Sequence, residues 1–96
     1  VLGPAIDKTQ DELLTILIEE CSEVIKAATK IKRFGLVKTK KYDNAADLAR
    51  EIGEMSWVIK LIVDTGIITN TTITQGYDNK RIKLREYLVE NLPLGL

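Results

Sequence analysis

Two pairs of carboxylates stand at the same spacing on two separate stretches of the chain, Glu20 and Glu23 in "EECSE" and Glu51 and Glu54 in "EIGE". Residues three apart on a helix lie one turn from each other on neighbouring positions of one face. One such pair alone is common in Glu-rich helices and usually points at water, so the surroundings decide its meaning. At about 100° per residue, Glu20 falls among Leu13, Ile16, Val24, Ala27 and Ile31, and Glu51 falls among Met55, Val58 and Ile62. Glu23 lies at the edge of the first apolar arc, and Glu54 sits beside Leu61 at the edge of the second. An unpaired ionised carboxylate in an apolar site costs several kcal/mol, and four together repel one another, so something positive must sit among them. The two arcs contain no lysine. The charge therefore comes either from lysines of a third helix or another subunit, or from a hard divalent cation in an all-oxygen site, Mg²⁺ first and Mn²⁺ second.

A carboxylate-held cation that keeps open positions suits phosphoryl chemistry. It neutralises phosphate charge, orients the chain of phosphates and lowers the pKa of a bound water. The composition agrees, because the chain has no His and a single Cys, Cys21, which excludes the usual zinc sites and His-based catalytic triads. The rival carboxylate cluster, a di-iron bundle, is normally built on Glu-x-x-His and lacks its histidine here.

Three helical segments must position these groups, in one domain spanning 1–96 with a core of about 9–90. The first opens at "TQDE", where Thr9 and Glu12 have capping-box spacing, and runs to about Arg33 before Gly35 stops it. The second opens at "YDNAAD", with Asp43 or Asn44 as N-cap, and runs to about Asp64 before Gly66. The third begins in "ITNTTITQ", continues through "GYDNKRIKLREYLVEN" and is closed by Pro93. The β-branched "GIITNTTIT" is too short and isolated to imply a sheet. Apolar residues cover roughly half the circumference of the first helix, and the second has a similar arc extended by Trp57 and Leu61. Three helices this long and this apolar predict an all-α bundle completed by another subunit.

Fourteen basic and fourteen acidic residues leave no net charge, which argues against a nucleic-acid or membrane partner held by bulk positive charge. No apolar stretch reaches the roughly 20 residues a membrane crossing needs. The lone cysteine and the absence of a signal-peptide pattern at "VLGPAIDKTQDELL" point to the cytoplasm. Charge is nevertheless unevenly placed: from Val24 to Tyr42 there are seven Lys or Arg and no acid.

The ordered set "EECSEVIKAATKIKRFG", "LAREIGEMSWVIKLIVDTG" and "NKRIKLREYL" resembles the MazG-like all-α nucleoside triphosphate pyrophosphohydrolases, especially their short single-domain phage forms, over roughly Leu13 to Leu88. The resemblance implies a Mg²⁺-dependent enzyme that cleaves a nucleoside triphosphate between the α and β phosphates to the monophosphate and pyrophosphate. It implies a homodimer or homotetramer with active sites at bundle interfaces, working in a bacterial cytoplasm or in that of a phage host. Carried over by position, the metal ligands are Glu20, Glu23, Glu51 and Glu54, and Glu19, the first acid of the EExxE, is a candidate to orient the water. The family pattern usually ends its second motif in Asp; here Glu54 stands in that place.

Phosphate oxygens would meet Lys80 and Lys83, which share a helical sector with Ile73, Tyr77, Leu84 and Tyr87, or equally these lysines only snorkel at a bundle edge. The run "KIKRFGLVKTKKY", with Lys30 and Arg33, is either a solvated loop or an electropositive rim or lid over the triphosphate. Base recognition needs a flat apolar wall and a few polar groups, for which Phe34, Trp57, Tyr77 and Asn79 are the candidates. Trp57 has a competing role as an anchor of a subunit interface. The alternative to an enzyme is a non-catalytic helical module, either a nucleotide binder or an oligomeric interaction protein whose acids pair with lysines of another subunit.

Overall fold

A computed structural model of the chain describes residues 2–91. It contains three α-helices, α1 (Lys8–Phe34), α2 (Asn44–Asp64) and α3 (Asn70–Asn91), and no strand among the described residues. The all-α reading holds, and "GIITNTTIT" divides between the α2–α3 connection and the first turns of α3.

Helix boundaries follow from local hydrogen bonding. α1 begins two residues earlier than the Thr9/Glu12 spacing predicted: Gln10 N donates to Asp7 Oδ1 at 2.8 Å, and Asp7 N donates to Gln10 Oε1 at 2.9 Å. Both sequence pairs have capping-box spacing, but Asp7 offers a charged acceptor to the positive end of the helix dipole. α1 stops at Gly35, whose φ of 72° and ψ of −170° suit a residue without a side chain. Asp43 caps α2 by accepting from Ala46 N at 3.0 Å, and Gly66 at φ 85° follows its end. Thr69 Oγ1 accepts from Thr72 N at 3.2 Å and opens α3. Pro93, expected to close that helix, lies outside the described residues.

α1 and α2 form an antiparallel hairpin, tied at three levels. At the open end Gln10 Nε2 donates to Thr65 O at 3.3 Å, midway Cys21 Sγ lies 3.9 Å from Met55 Sδ, and at the loop end Asn44 clasps the connection. Asn44 Nδ2 donates to Gly35 O at 2.8 Å, while its Oδ1 accepts from Val37 N at 3.1 Å. Asn44 is the buried polar residue among the described side chains, and these bonds satisfy the groups it buries. Ala27, Val58 and Ile62 form the buried core between the two helices.

α3 stands to the side of that hairpin. Its residues 70–87 are all exposed, and its packing on α1 and α2 is slight beside that of the hairpin itself. The radius of gyration is 17.0 Å, against about 13 Å for a compact domain of this length.

Candidate metal centre

The Cys21–Met55 contact marks the level at which α1 and α2 carry their carboxylates side by side. Glu20 precedes Cys21, while Glu51 and Glu54 lie one turn and one residue before Met55. One oxygen from each of Glu20, Glu51 and Glu54 lies within 4.8 Å of the others. Glu20 and Glu51 are half-buried and Glu54 is exposed, in the order that their positions on the apolar arcs predict.

Glu20 Oε2 is shielded from solvent and has no hydrogen-bond partner. Glu51 Oε1 accepts from Arg50 Nη2 at 3.3 Å, with only 14% of the Glu51 side chain exposed. Arg50 also donates from Nη1 to Asp47 Oδ1 at 3.2 Å. The hydrogen bond to Glu51 and the charge of Asp47 raise the Arg50 pKa, keeping the guanidinium firmly cationic. The carboxyl of Glu54 is pushed above its ordinary value, first by a hydrogen bond to Glu51 and then by the charge of Glu51, burial and the charge of Glu20. Arg50 acts in the opposite sense but does not cancel these effects. The cluster therefore favours added positive charge, in the form of a proton or a cation.

The donor set fits a hard divalent cation: three carboxylates, no nitrogen or sulfur ligand, and one buried oxygen with nothing to bond. Glu54, although exposed, brings one of its oxygens into the cluster.

Glu23 does not join this group of three. It pairs with Lys26 at 3.5 Å and lines an adjoining cavity of about 130 Å³ together with Lys30, Asn44, Asp47, Arg50 and Glu51. Glu19 is exposed on the outer side of α1, where its backbone carbonyl accepts from Ser22 Oγ at 2.7 Å. Lys30 faces the cavity. Arg33 is instead at the end of α1, its guanidinium 5.2 Å from the centre of the Phe34 ring. Those two residues lie thirteen and fourteen positions beyond Glu20, about 20 Å along the helix.

Trp57 is three residues beyond Glu54 and 59% exposed, with Lys60 Nζ 5.5 Å from its ring centre. Lys80, Lys83, Tyr77 and Asn79 are exposed on α3, and the chain does not itself bring them to the carboxylates. Arg50 and Asp47 are not among the residues singled out from the sequence, because with no lysine in the apolar arcs the neutralising charge was sought on a third helix, in another subunit or in a metal ion. Arg50 lies outside the arc of α2 and reaches Glu51 along the helix surface; its adjacency in "REIGE" was the available signal.

No family model, curated relative or solved structure matches the chain.

Proposed function

We propose that the chain is a Mg²⁺-dependent nucleoside triphosphate pyrophosphohydrolase, cleaving between the α and β phosphates to give the monophosphate and pyrophosphate. The observation that carries this reading is the solvent-shielded, unpartnered Glu20 Oε2 converging with Glu51 and Glu54. A carboxylate oxygen so placed calls for positive charge beside it, and three converging carboxylates favour a cation over a single proton as its source. Glu20, Glu51 and Glu54 are the residues that would hold that cation, which when bound supplies charge neutralisation for the phosphates and a more acidic water.

The chain's own groups divide the remaining tasks. Arg50 fixes the orientation of Glu51 through the 3.3 Å bond, so that the acceptor oxygens of Glu51 are held before a ligand arrives. Lys26 and Lys30 bring positive charge to the cavity beside Glu51, where phosphate oxygens would meet them. Glu23, on the wall of the same cavity, is better placed than Glu19 to take the proton from an attacking water. Exposed apolar side chains support completion of the site by a second copy: Ile18, Ile25 and Trp57 on the hairpin and Tyr77 on α3 are each 59% exposed or more. In such an assembly α3 of one copy can lie on the hairpin of another, which is the route by which Lys80 and Lys83 would reach a triphosphate.

A pyrophosphate-release screen over deoxy- and ribonucleoside triphosphates with Mg²⁺ tests the proposal. Release from at least one of them, lost in Glu20→Gln and in Glu51→Gln, is expected; no release by the unaltered chain across the panel would overturn it.

A further inference from the structure

The loop end of the hairpin carries chemistry that the carboxylate site leaves unused. Of the seven cations between Val24 and Tyr42, Lys26 and Lys30 line the cavity beside Glu51. The other five, Lys32, Arg33, Lys38, Lys40 and Lys41, are exposed, and none is in an ion pair among the described residues.

The connection that displays them is folded. Lys38 and Asp43 form an antiparallel bridge, Thr39 N donates to Tyr42 O at 2.7 Å, and Thr39 Oγ1 accepts from Lys41 N and Tyr42 N at 3.2 and 2.9 Å. Lys40 and Lys41 therefore occupy the tip of a defined turn. Two aromatic rings stand among the cations: Phe34 is 63% and Tyr42 61% exposed. The Lys41 ammonium lies 5.8 Å from the Tyr42 ring centre. Beside the turn is a groove of about 450 Å³ with Leu36, Val37, Ala45 and Ala46 on its walls, along with Lys38 and Asp43.

We infer that this end of the hairpin binds single-stranded nucleic acid, with the lysines on backbone phosphates and the exposed rings and apolar groove receiving bases. Cations interleaved with exposed aromatics are what a single strand requires, because its phosphates recur at each nucleotide and its unpaired bases have free faces to stack. A duplex would use the cations and leave the rings idle. An anionic bilayer fits less well: Lys40 and Lys41, rather than the exposed Phe34, Leu36 and Tyr42, occupy the tip of the turn, so charge and not an apolar wedge would lead into the lipid. Zero net charge removes only bulk attraction, since at physiological salt a charge acts over about 8 Å and the local patch decides.

The test is fluorescence anisotropy of a labelled oligothymidine of about fifteen nucleotides, long enough for one groove of this kind, titrated with the full chain. Saturable binding is expected, weakening with salt with a log–log slope of about −2 to −3 for three or four phosphate contacts. Replacing Lys38, Lys40 and Lys41 together by Ala should weaken it about tenfold or more and flatten the slope by about 2. Tyr42→Ala should weaken it about fivefold or more with the slope unchanged, the sign of lost stacking. These positions are exposed, and unchanged far-UV circular dichroism would show that both variants fold. Absence of saturable binding would overturn the inference. So would unchanged affinity in the triple variant, equal affinity for a duplex of the same length, or sedimentation with phosphatidylserine-containing vesicles in place of oligonucleotide binding. Because the readout is binding at residues outside the carboxylate site, its outcome is independent of the pyrophosphate-release screen.

Discussion

Glu20 is the residue on which the proposed chemistry turns, because one of its oxygens is enclosed and unpartnered while two more carboxylates approach it. Glu20→Gln keeps the shape and removes the charge. Pyrophosphate release should fall by about a hundredfold or more, while the metal-free chain becomes no less stable, since a repelling charge has been removed. Parallel release assays and urea melts check both halves. Glu54 predicts a pH effect whose sign is fixed. Its folded pKa is raised above the ordinary 4.5, so the folded state binds its proton more tightly than the unfolded chain does. The stabilisation this gives is fully present below pH 4.5 and is lost as pH rises through the raised value. Thermal melts without metal should therefore contain a component of stability that declines across that window, read as the difference from Glu54→Gln. Added Mg²⁺ should offset the decline and Glu54→Gln should abolish it; a Mg²⁺-independent melt in the unaltered chain would count against the metal site.

At the scale of elements, the hairpin depends on contacts that carry very different weights. Ile62, 1% exposed between α1 and α2, should cost about 2–5 kcal/mol when truncated to Ala. Tyr77→Ala on exposed α3 should change the stability of a single chain by no more than about 0.5 kcal/mol. Denaturant midpoints of the two variants, measured at low concentration, provide the contrast. Asn44→Ala would remove the side-chain bonds to the Val37 N–H and the Gly35 carbonyl, which keep a 3.1 Å bond to each other, at a cost of about 0.5–1.5 kcal/mol per bond lost. Amide exchange at Val37 should quicken in that variant, showing that the loss is local to the α1–α2 connection.

For the whole molecule, the open arrangement of α3 and the apolar side chains left exposed on all three helices predict self-association. Sedimentation velocity should detect a dimer or tetramer, and Trp57→Glu or Ile25→Glu should shift it towards monomer by placing a charge in the apolar surface. A chain that sediments as a monomer at all accessible concentrations would remove the second copy from the proposed site. If the assembly forms, Lys80→Ala and Lys83→Ala should lower release only in the associated species.

Sequence periodicity by itself determined that the chain is three helices and that Glu20 and Glu51 lie on the faces the first two turn to each other, although Ile16 of the first arc and Trp57 of the second stay exposed. Burial on a helix is a function of angle, and angle is counted along the chain. The stop at Gly35 and a cap at Asp43 or Asn44 were legible for a similar reason, since helix ends are local hydrogen-bonding problems, and the structure chose Asp43 while Asn44 turned to the loop. The starting cap of α1 was misplaced because two pairs shared the same spacing, and only the competition between them chose Asp7 and Gln10. Only the tertiary structure decided that three of the four paired carboxylates converge and that Glu23 turns to Lys26 and the cavity. It alone showed that Arg50 is the cation at Glu51 and that α3 stays off the hairpin. Those outcomes depend on the register of one helix on another and on the reach of long side chains. Neither is counted along a single helix.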